Sequence, residues 1–144
     1  MYCELIIAVI SGVLVYVFSQ LIYVEIIIPI KEFKSIKSRI IIALKFYAPY
    51  YNKPYDFDKK DEFVDIIKYK NASDDFRKLS SELSGYIGNI SAFRKKKIEK
   101  LADVSRYLIG ISNGLFGDND DKKHNIEYKQ KLIKKLRIER SFNK

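Results

Sequence analysis

The longest hydrophobic stretch of the chain lies at its N-terminal end. Residues 5 to 24 contain no charged side chain, and an apolar run of five residues resumes after Glu25. Twenty residues at a helical rise of about 1.5 Å each extend about 30 Å, the thickness of a bilayer's hydrocarbon core. No Lys or Arg precedes the stretch and no small-residue cleavage site follows it, which argues against a signal peptide. The pattern predicts a transmembrane helix in residues 1–30 that is retained as an anchor.

Beyond this stretch the pattern becomes amphipathic. Pro29 is expected to bend or restart the helix, because proline lacks the N–H that a helix interior needs. Apolar residues then recur at spacings of three and four as far as Tyr47, which predicts a juxtamembrane helix over residues 31–49. Pro49 and the polar run that follows it are expected to stop this helix.

Residues 50–117 are predicted to form a cytoplasmic helical domain. Asn71-Ala72-Ser73 looks like a weak break, with Ser73 as a possible N-cap of the next helix. The clearest helix runs from about Lys96 to Phe116, where apolar residues repeat over nearly three heptads. Gly110 and Gly114 stand four residues apart on it, which costs helix stability unless a neighbour packs there.

Residues 118–144 form a basic C-terminal segment, with a helix predicted from about Lys122 to Phe142. No alternating runs joined by hairpin turns are present, so the predicted fold class is all-α. Several helices are thinly apolar, and the Lys96–Phe116 helix has apolar residues on more than one side. We therefore expect an oligomer in which subunits share a core.

The transmembrane helix differs between its two sides. At about 100° per residue, Ile6, Ile10, Val13, Val17 and Leu21 gather on one side, and small and polar residues gather on the other. A small-xxx-small step on the second side would let two helices approach closely. Three interpretations remain: an oligomer interface, a ring lining a water-filled pore, or a plain anchor whose polar groups bond their own backbone. This polar stripe consists of Ala8, Ser11, Gly12, Tyr16, Ser19, Gln20 and Tyr23.

The distribution of charged residues predicts how the chain is oriented in the membrane. Residues 1–30 carry only two glutamates, so a formal charge of +9 for the whole chain leaves +11 on residues 31–144. Lys31, Lys34, Lys37 and Arg39 follow the span, and basic residues stay on the cytoplasmic side. We expect a single span of the inner (plasma) membrane, with a short N-terminus outside and the remaining chain in the cytoplasm.

The densest basic cluster consists of Arg94, Lys95, Lys96, Lys97 and Lys100, at or just before a helix start. Backbone N–H groups and the helix dipole also favour an anion there. Such a site suits the phosphates of a nucleotide or a single-stranded oligonucleotide. The alternatives are attraction to anionic lipids of the inner leaflet and a solvated basic face.

Sequence motifs for catalysis are absent. The chain has no phosphate-binding glycine loop, serine elbow or paired-carboxylate pattern, and its one Cys and one His form no metal-ligand set. We expect no catalytic residues, no metal and no cofactor, so the protein is predicted not to be an enzyme.

The N-terminal span, Pro29 with its basic amphipathic continuation, and the run Leu108-Ile109-Gly110-Ile111-Ser112-Asn113-Gly114-Leu115-Phe116 resemble small single-span prokaryotic membrane effectors of antiphage systems such as Hailong. This resemblance implies an oligomeric ion channel, held closed by a nucleic-acid signal from a partner nucleotidyltransferase, whose release depolarises the infected cell in abortive infection. The Arg94–Lys97 cluster and the chain beyond Gly117 have no counterpart in the resemblance. The competing class is a membrane-tethered scaffold that recruits a protein partner or anionic lipid.

Overall fold

A computed structural model describes residues 2–55, 63–90, 95–117 and 119–142. Their regular structure is all helical, which confirms the predicted class. By internal contacts the chain divides into two units, Met1–Lys34 and Ser35–Lys144. The elements are α1 (Tyr2–Ile22), a π-helical turn (Tyr23–Ile27), α2 (Ile28–Phe46), α3 (Ala48–Asn52), α4 (Phe63–Asn89), α5 (Lys95–Asn113), α6 (Asn119–Leu136) and a final 3-10 turn (Glu139–Ser141).

The N-terminal helix is long and apolar enough to span a membrane, over Tyr2–Phe46. The predicted disturbance at Pro29 takes the form of the π turn that precedes it. Pro29 has no N–H for the carbonyl of Glu25, and its ring crowds that carbonyl. The Ile28 N–H bonds instead to the Tyr23 carbonyl, five residues back, which widens the turn without ending the helix.

Helices α4 and α5 form a hairpin whose contact line contains two serine pairs. The Oγ atoms of Ser73 and Ser112 share a hydrogen bond of 2.7 Å, as do those of Ser80 and Ser105. Each serine lies seven residues from the other on its helix, so both pairs fall on one seam between larger apolar residues such as Leu83 and Leu108. We call these four residues the serine seam; their small side chains let the helices approach closely.

Helix α6 covers the opposite side of α5. A Cβ atom on Gly110 would lie 2.6 Å from the Tyr128 ring, and one on Gly114 would collide with the side chain of Asn125. Both glycines therefore pack against a neighbouring helix, α6, as their spacing on α5 predicted. The apolar residues on two sides of α5 are covered by α4 and α6 of the same chain, so this pattern is explained without a second subunit. Self-association stays a prediction.

Aromatic side chains contribute to the core near α3. Tyr51 of α3 is fully buried, and its hydroxyl donates to the Leu44 carbonyl at 2.7 Å. The ring of Phe76 on α4 lies 5.7 Å from that of Tyr47 and 6.4 Å from that of Tyr51, centroid to centroid. The ring contacts join α3 and the residue before it to α4, and the Tyr51 hydrogen bond joins α3 to α2.

Three sequence-based boundaries are corrected. The break at Asn71–Ser73 is wrong, because α4 runs through it and Ser73 is buried in the serine seam rather than capping a helix. Pro49 lies at the start of the short helix α3, where its missing N–H costs nothing. The C-terminal helix ends at Leu136 instead of Phe142, because Arg137 adopts a left-handed φ of 52°.

Candidate functional site

Most of the predicted polar stripe lies on one regular helix. Ala8, Ser11, Gly12, Tyr16, Ser19 and Gln20 belong to α1, and all are exposed within the chain. No described atom lies within 4 Å of a Cβ built on Gly12. Tyr23 falls instead at the first position of the π turn, where a step of 100° per residue no longer holds. Its ring lies 5.7 Å from the Lys31 ammonium.

The polar groups of the stripe fall into two kinds. Ser11 donates to the carbonyls of Ile7 and Ala8 at 2.8 and 3.0 Å, and Ser19 donates to that of Val15 at 2.7 Å. These hydroxyl hydrogens are satisfied within the helix. Tyr16 and Gln20 make no hydrogen bond to another described residue. Of the stripe residues on α1, Tyr16 and Gln20 are the two that need a polar partner from outside the chain in an apolar phase.

The described members of the predicted basic cluster take different positions. Arg94 lies outside the described residues. Lys95 and Lys96 are exposed at the start of α5. Lys97 turns onto α4, where its ammonium donates to the Tyr86 hydroxyl at 3.0 Å and lies 5.4 Å from the ring centroid. Lys100 takes part in a different arrangement, one turn further along α5.

Lys100 lines a groove together with basic residues from the end of α6. The groove has a volume of about 620 Å³. The sequence shows that α6 is basic, but the pattern of one helix does not show which of its turns lies beside α5. Sequence analysis alone therefore did not assign these α6 residues to the site. We call this site the basic groove; its lining residues are Lys100, Lys131, Lys134, Lys135, Arg137 and Glu139.

Ion pairs neutralise two of the five cations in the basic groove. Lys131 pairs with Glu127 at 2.5 Å, and Lys135 pairs with Asp103. Hydrogen bonds from these lysines lower the pKa of both carboxyl groups. No ion pair joins Lys100, Lys134 or Arg137 to a carboxylate among the described residues. Three cations are therefore left to face the groove without a bonded counter-charge.

The electrostatics at Lys100 reflect this crowding. Burial lowers the pKa of the Lys100 ammonium, and the nearby charges of Arg137, Lys37 and Lys135 lower it further, with only Glu139 opposing them. A cation held among other cations is stabilised by any anion that enters. The basic groove therefore has the chemistry of an anion-binding site.

A second groove, of about 250 Å³, lies between α2 and α4. Most of its charged groups are engaged internally: Arg39 pairs with Glu82 at 2.7 Å, and the Tyr47 hydroxyl bonds to Asp75. Lys78 also lines the groove. Its rim exposes Ile42 and Phe46, at 61% and 70% of their surface. This groove combines an apolar rim with an internal ion pair.

Among the described residues, no group of three or more His, Cys, Asp or Glu side chains could hold a metal ion. No protein-family model, curated protein or solved structure matches the chain. What the protein does must therefore be argued from its own residues.

Proposed function

We propose that the protein is a non-enzymatic membrane effector. Helix α1 spans the inner membrane with its N-terminus outside, and copies of the chain associate through the polar stripe to form an ion channel. A nucleotide or oligonucleotide bound by the basic cytoplasmic domain controls the channel. We extend the proposal to antiphage defence on the resemblance described above.

The observation that carries the proposal is the unsatisfied surface of α1. None of its most apolar stretch is buried by the rest of the chain, so lipid or another helix must cover it. Tyr16 and Gln20 then face an apolar phase without a bonding partner from the described residues. Neighbouring copies, or water between them, would supply that partner at the lowest cost.

A second candidate function is a membrane-tethered scaffold that recruits a protein partner or anionic lipid. The internal hydrogen bonds of Ser11 and Ser19 favour it, because a hydroxyl already bonded to its own backbone tolerates lipid. The apolar rim formed by Ile42 and Phe46 is a surface that such a partner would use. Measurements of self-association and of current separate the two functions.

Self-association should depend on Gly12. No described residue beyond its own helical turns contacts this position, so Gly12→Ile should leave the subunit folded but keep two α1 helices apart. We expect crosslinking in mild detergent to show an oligomer for the wild type and mostly monomer for the variant. Val17→Ile, which creates the same residue about 140° around α1 on its aliphatic side, is the control. A wild-type monomer would remove both the oligomer and the channel.

Conductance should depend on the unpartnered polar residues. Purified protein in a planar bilayer should carry a current, and Gln20→Leu or Tyr16→Phe should reduce it, because each removes a polar group from the path. Val17→Ala and Leu21→Ala, on the aliphatic side, should change it much less. Equal sensitivity of the two sides, or no current from an oligomeric protein, would favour the scaffold.

A further inference from the structure

We propose that the basic groove binds a compact anion with two or more closely spaced phosphates, such as the triphosphate of a nucleotide. This deepens the proposed function by assigning a ligand class to its basic domain. The binding stands on the groove alone, and only its role in controlling a channel rests on the proposed function.

Shape favours a compact ligand over a membrane surface. A volume of about 620 Å³ lies within the roughly 300–1,000 Å³ typical of small-molecule sites. Lys134 and Arg137 are as exposed as Lys95 and Lys96, whereas Lys100 is half-buried. A flat sheet of headgroups meets the exposed cations, but a discrete polyanion can contact Lys100 as well.

Charge favours several phosphates. Five cations line the groove against one acid, Glu139. Lys131 and Lys135 are engaged by Glu127 and Asp103, so the free cations number three and come from α5, α6 and the turn after α6. A single phosphate cannot contact three cations from separate elements as well as a chain of phosphates can.

Helix stabilisation does not account for this arrangement. Cations near the end of α6 complement the negative end of its dipole, which explains Lys134 and Lys135. It does not explain Lys100, which α5 contributes, or the drop in the pKa of Lys100 that the surrounding cations help to cause. Like charges brought together across helices are a cost to the fold that a bound anion would relieve.

Arg137 supplies an independent observation. The Ile138 N–H bonds to the Ile133 carbonyl and the Arg137 N–H to that of Lys134, at 3.1 and 3.2 Å, which is the Schellman pattern of a helix end. Its left-handed position, at φ 52°, is normally occupied by glycine because a side chain is strained there. The chain holds an arginine there, pointing to a role for the guanidinium that outweighs the strain.

The test uses the full-length protein in detergent and inorganic tripolyphosphate as the probe, with titration calorimetry as the readout. We expect saturable binding that weakens with salt. Lys100→Gln and Lys134→Gln should each lower affinity about tenfold, as expected for loss of one charged hydrogen bond. Lys95→Gln removes the same charge from an exposed site outside the groove and should change affinity about twofold or less.

Arg137→Gly gives the sharpest result, because its two effects have opposite signs. Affinity should fall about tenfold, while relief of the left-handed strain should raise the melting temperature by about 4 °C. Weaker binding by a more stable protein cannot come from misfolding. Unchanged affinity with raised stability would mean that Arg137 only ends the helix, and would overturn its role.

Other outcomes overturn the proposal as a whole. An equal loss in Lys95→Gln would show general charge attraction, and binding to phosphatidylglycerol vesicles without saturable tripolyphosphate binding would assign the cations to the membrane. Bilayer currents separate this proposal from the channel. Tripolyphosphate binding without any current removes the channel and keeps the groove, whereas a current with no such binding does the reverse.

Discussion

Gly114→Ala should destabilise the helical domain by about 2–5 kcal/mol, whereas Gly88→Ala should stabilise it by about 0.5–1 kcal/mol. The same added methyl group thus acts with opposite signs at two sites. The free energy of unfolding of a protein is typically about 5–15 kcal/mol, so Gly114→Ala should remove a large part of it.

The reason is the close contact of α5 with α6 at Gly114. A Cβ built there lies 3.0 Å from both Cγ and Nδ2 of Asn125 and closer still to its carbonyl oxygen. Asn125 is fully buried, and its Nδ2 donates to the Gly114 carbonyl at 2.6 Å. A methyl group must displace this amide and break the bond, leaving a buried donor and acceptor unpaired.

Gly88 is the matched control because it is exposed on α4 and no described atom lies within 4 Å of its added Cβ. Only the higher helix propensity of alanine should act there. Guanidinium unfolding of the full-length protein in detergent, followed by circular dichroism, measures both changes. If the two variants shift the midpoint in the same direction, α6 does not cover α5 at Gly114.

Alkaline pH should destabilise the helical domain through Tyr51. Burial raises the pKa of this phenol from 10.0 to about 12, because a charged phenolate is poorly solvated in the core. The folded state therefore keeps a proton that the unfolded chain releases near pH 10. The contribution of Tyr51 is complete below pH 10 and is lost as the pH rises towards 12, by up to about 2.7 kcal/mol.

Other groups also titrate at this pH, so the measurement compares the wild type with Tyr51→Phe. At neutral pH the variant should be less stable by about 1 kcal/mol, since the Leu44 carbonyl loses its donor. The difference should shrink and then reverse between pH 10 and 12, because phenylalanine has no proton to lose. A difference that stays constant over this range would show that the Tyr51 hydroxyl reaches water.

Local patterns predicted the helices well, and distant partners account for the errors. The rhythm of Leu101, Leu108 and Leu115 needs only the helical repeat, and all three are buried. The break at Ser73 was wrong because its partner, Ser112, lies 39 residues away. Beside such a partner, a residue that favours helix starts is stable inside a helix.

The candidate site was likewise predicted only where local sequence was enough. The density of basic residues along the sequence placed Lys100 in a cluster with Lys97. In the structure Lys100 lines a groove with Lys134 and Arg137, whereas Lys97 contacts Tyr86. Which cations converge depends on the contact between α5 and α6, which no spacing rule specifies. The α1 stripe is read from helical geometry alone, and its partners remain a prediction.

The serine seam also decides which of several similar hairpins can form. Its heptad repeat would let α5 slide along α4 by seven residues and still meet apolar side chains with apolar side chains. In the observed alignment both serine pairs bond, Ser73 with Ser112 and Ser80 with Ser105. A slide that sets Ser73 against Ser105 places Ser80 opposite Ile98 and leaves Ser112 without its partner. A serine without its partner can still donate to its own helix backbone, as Ser11 does, so each lost pair costs about 1 kcal/mol, the net value of one hydrogen bond. Two weak hydrogen bonds thus favour a single register in an otherwise repetitive interface.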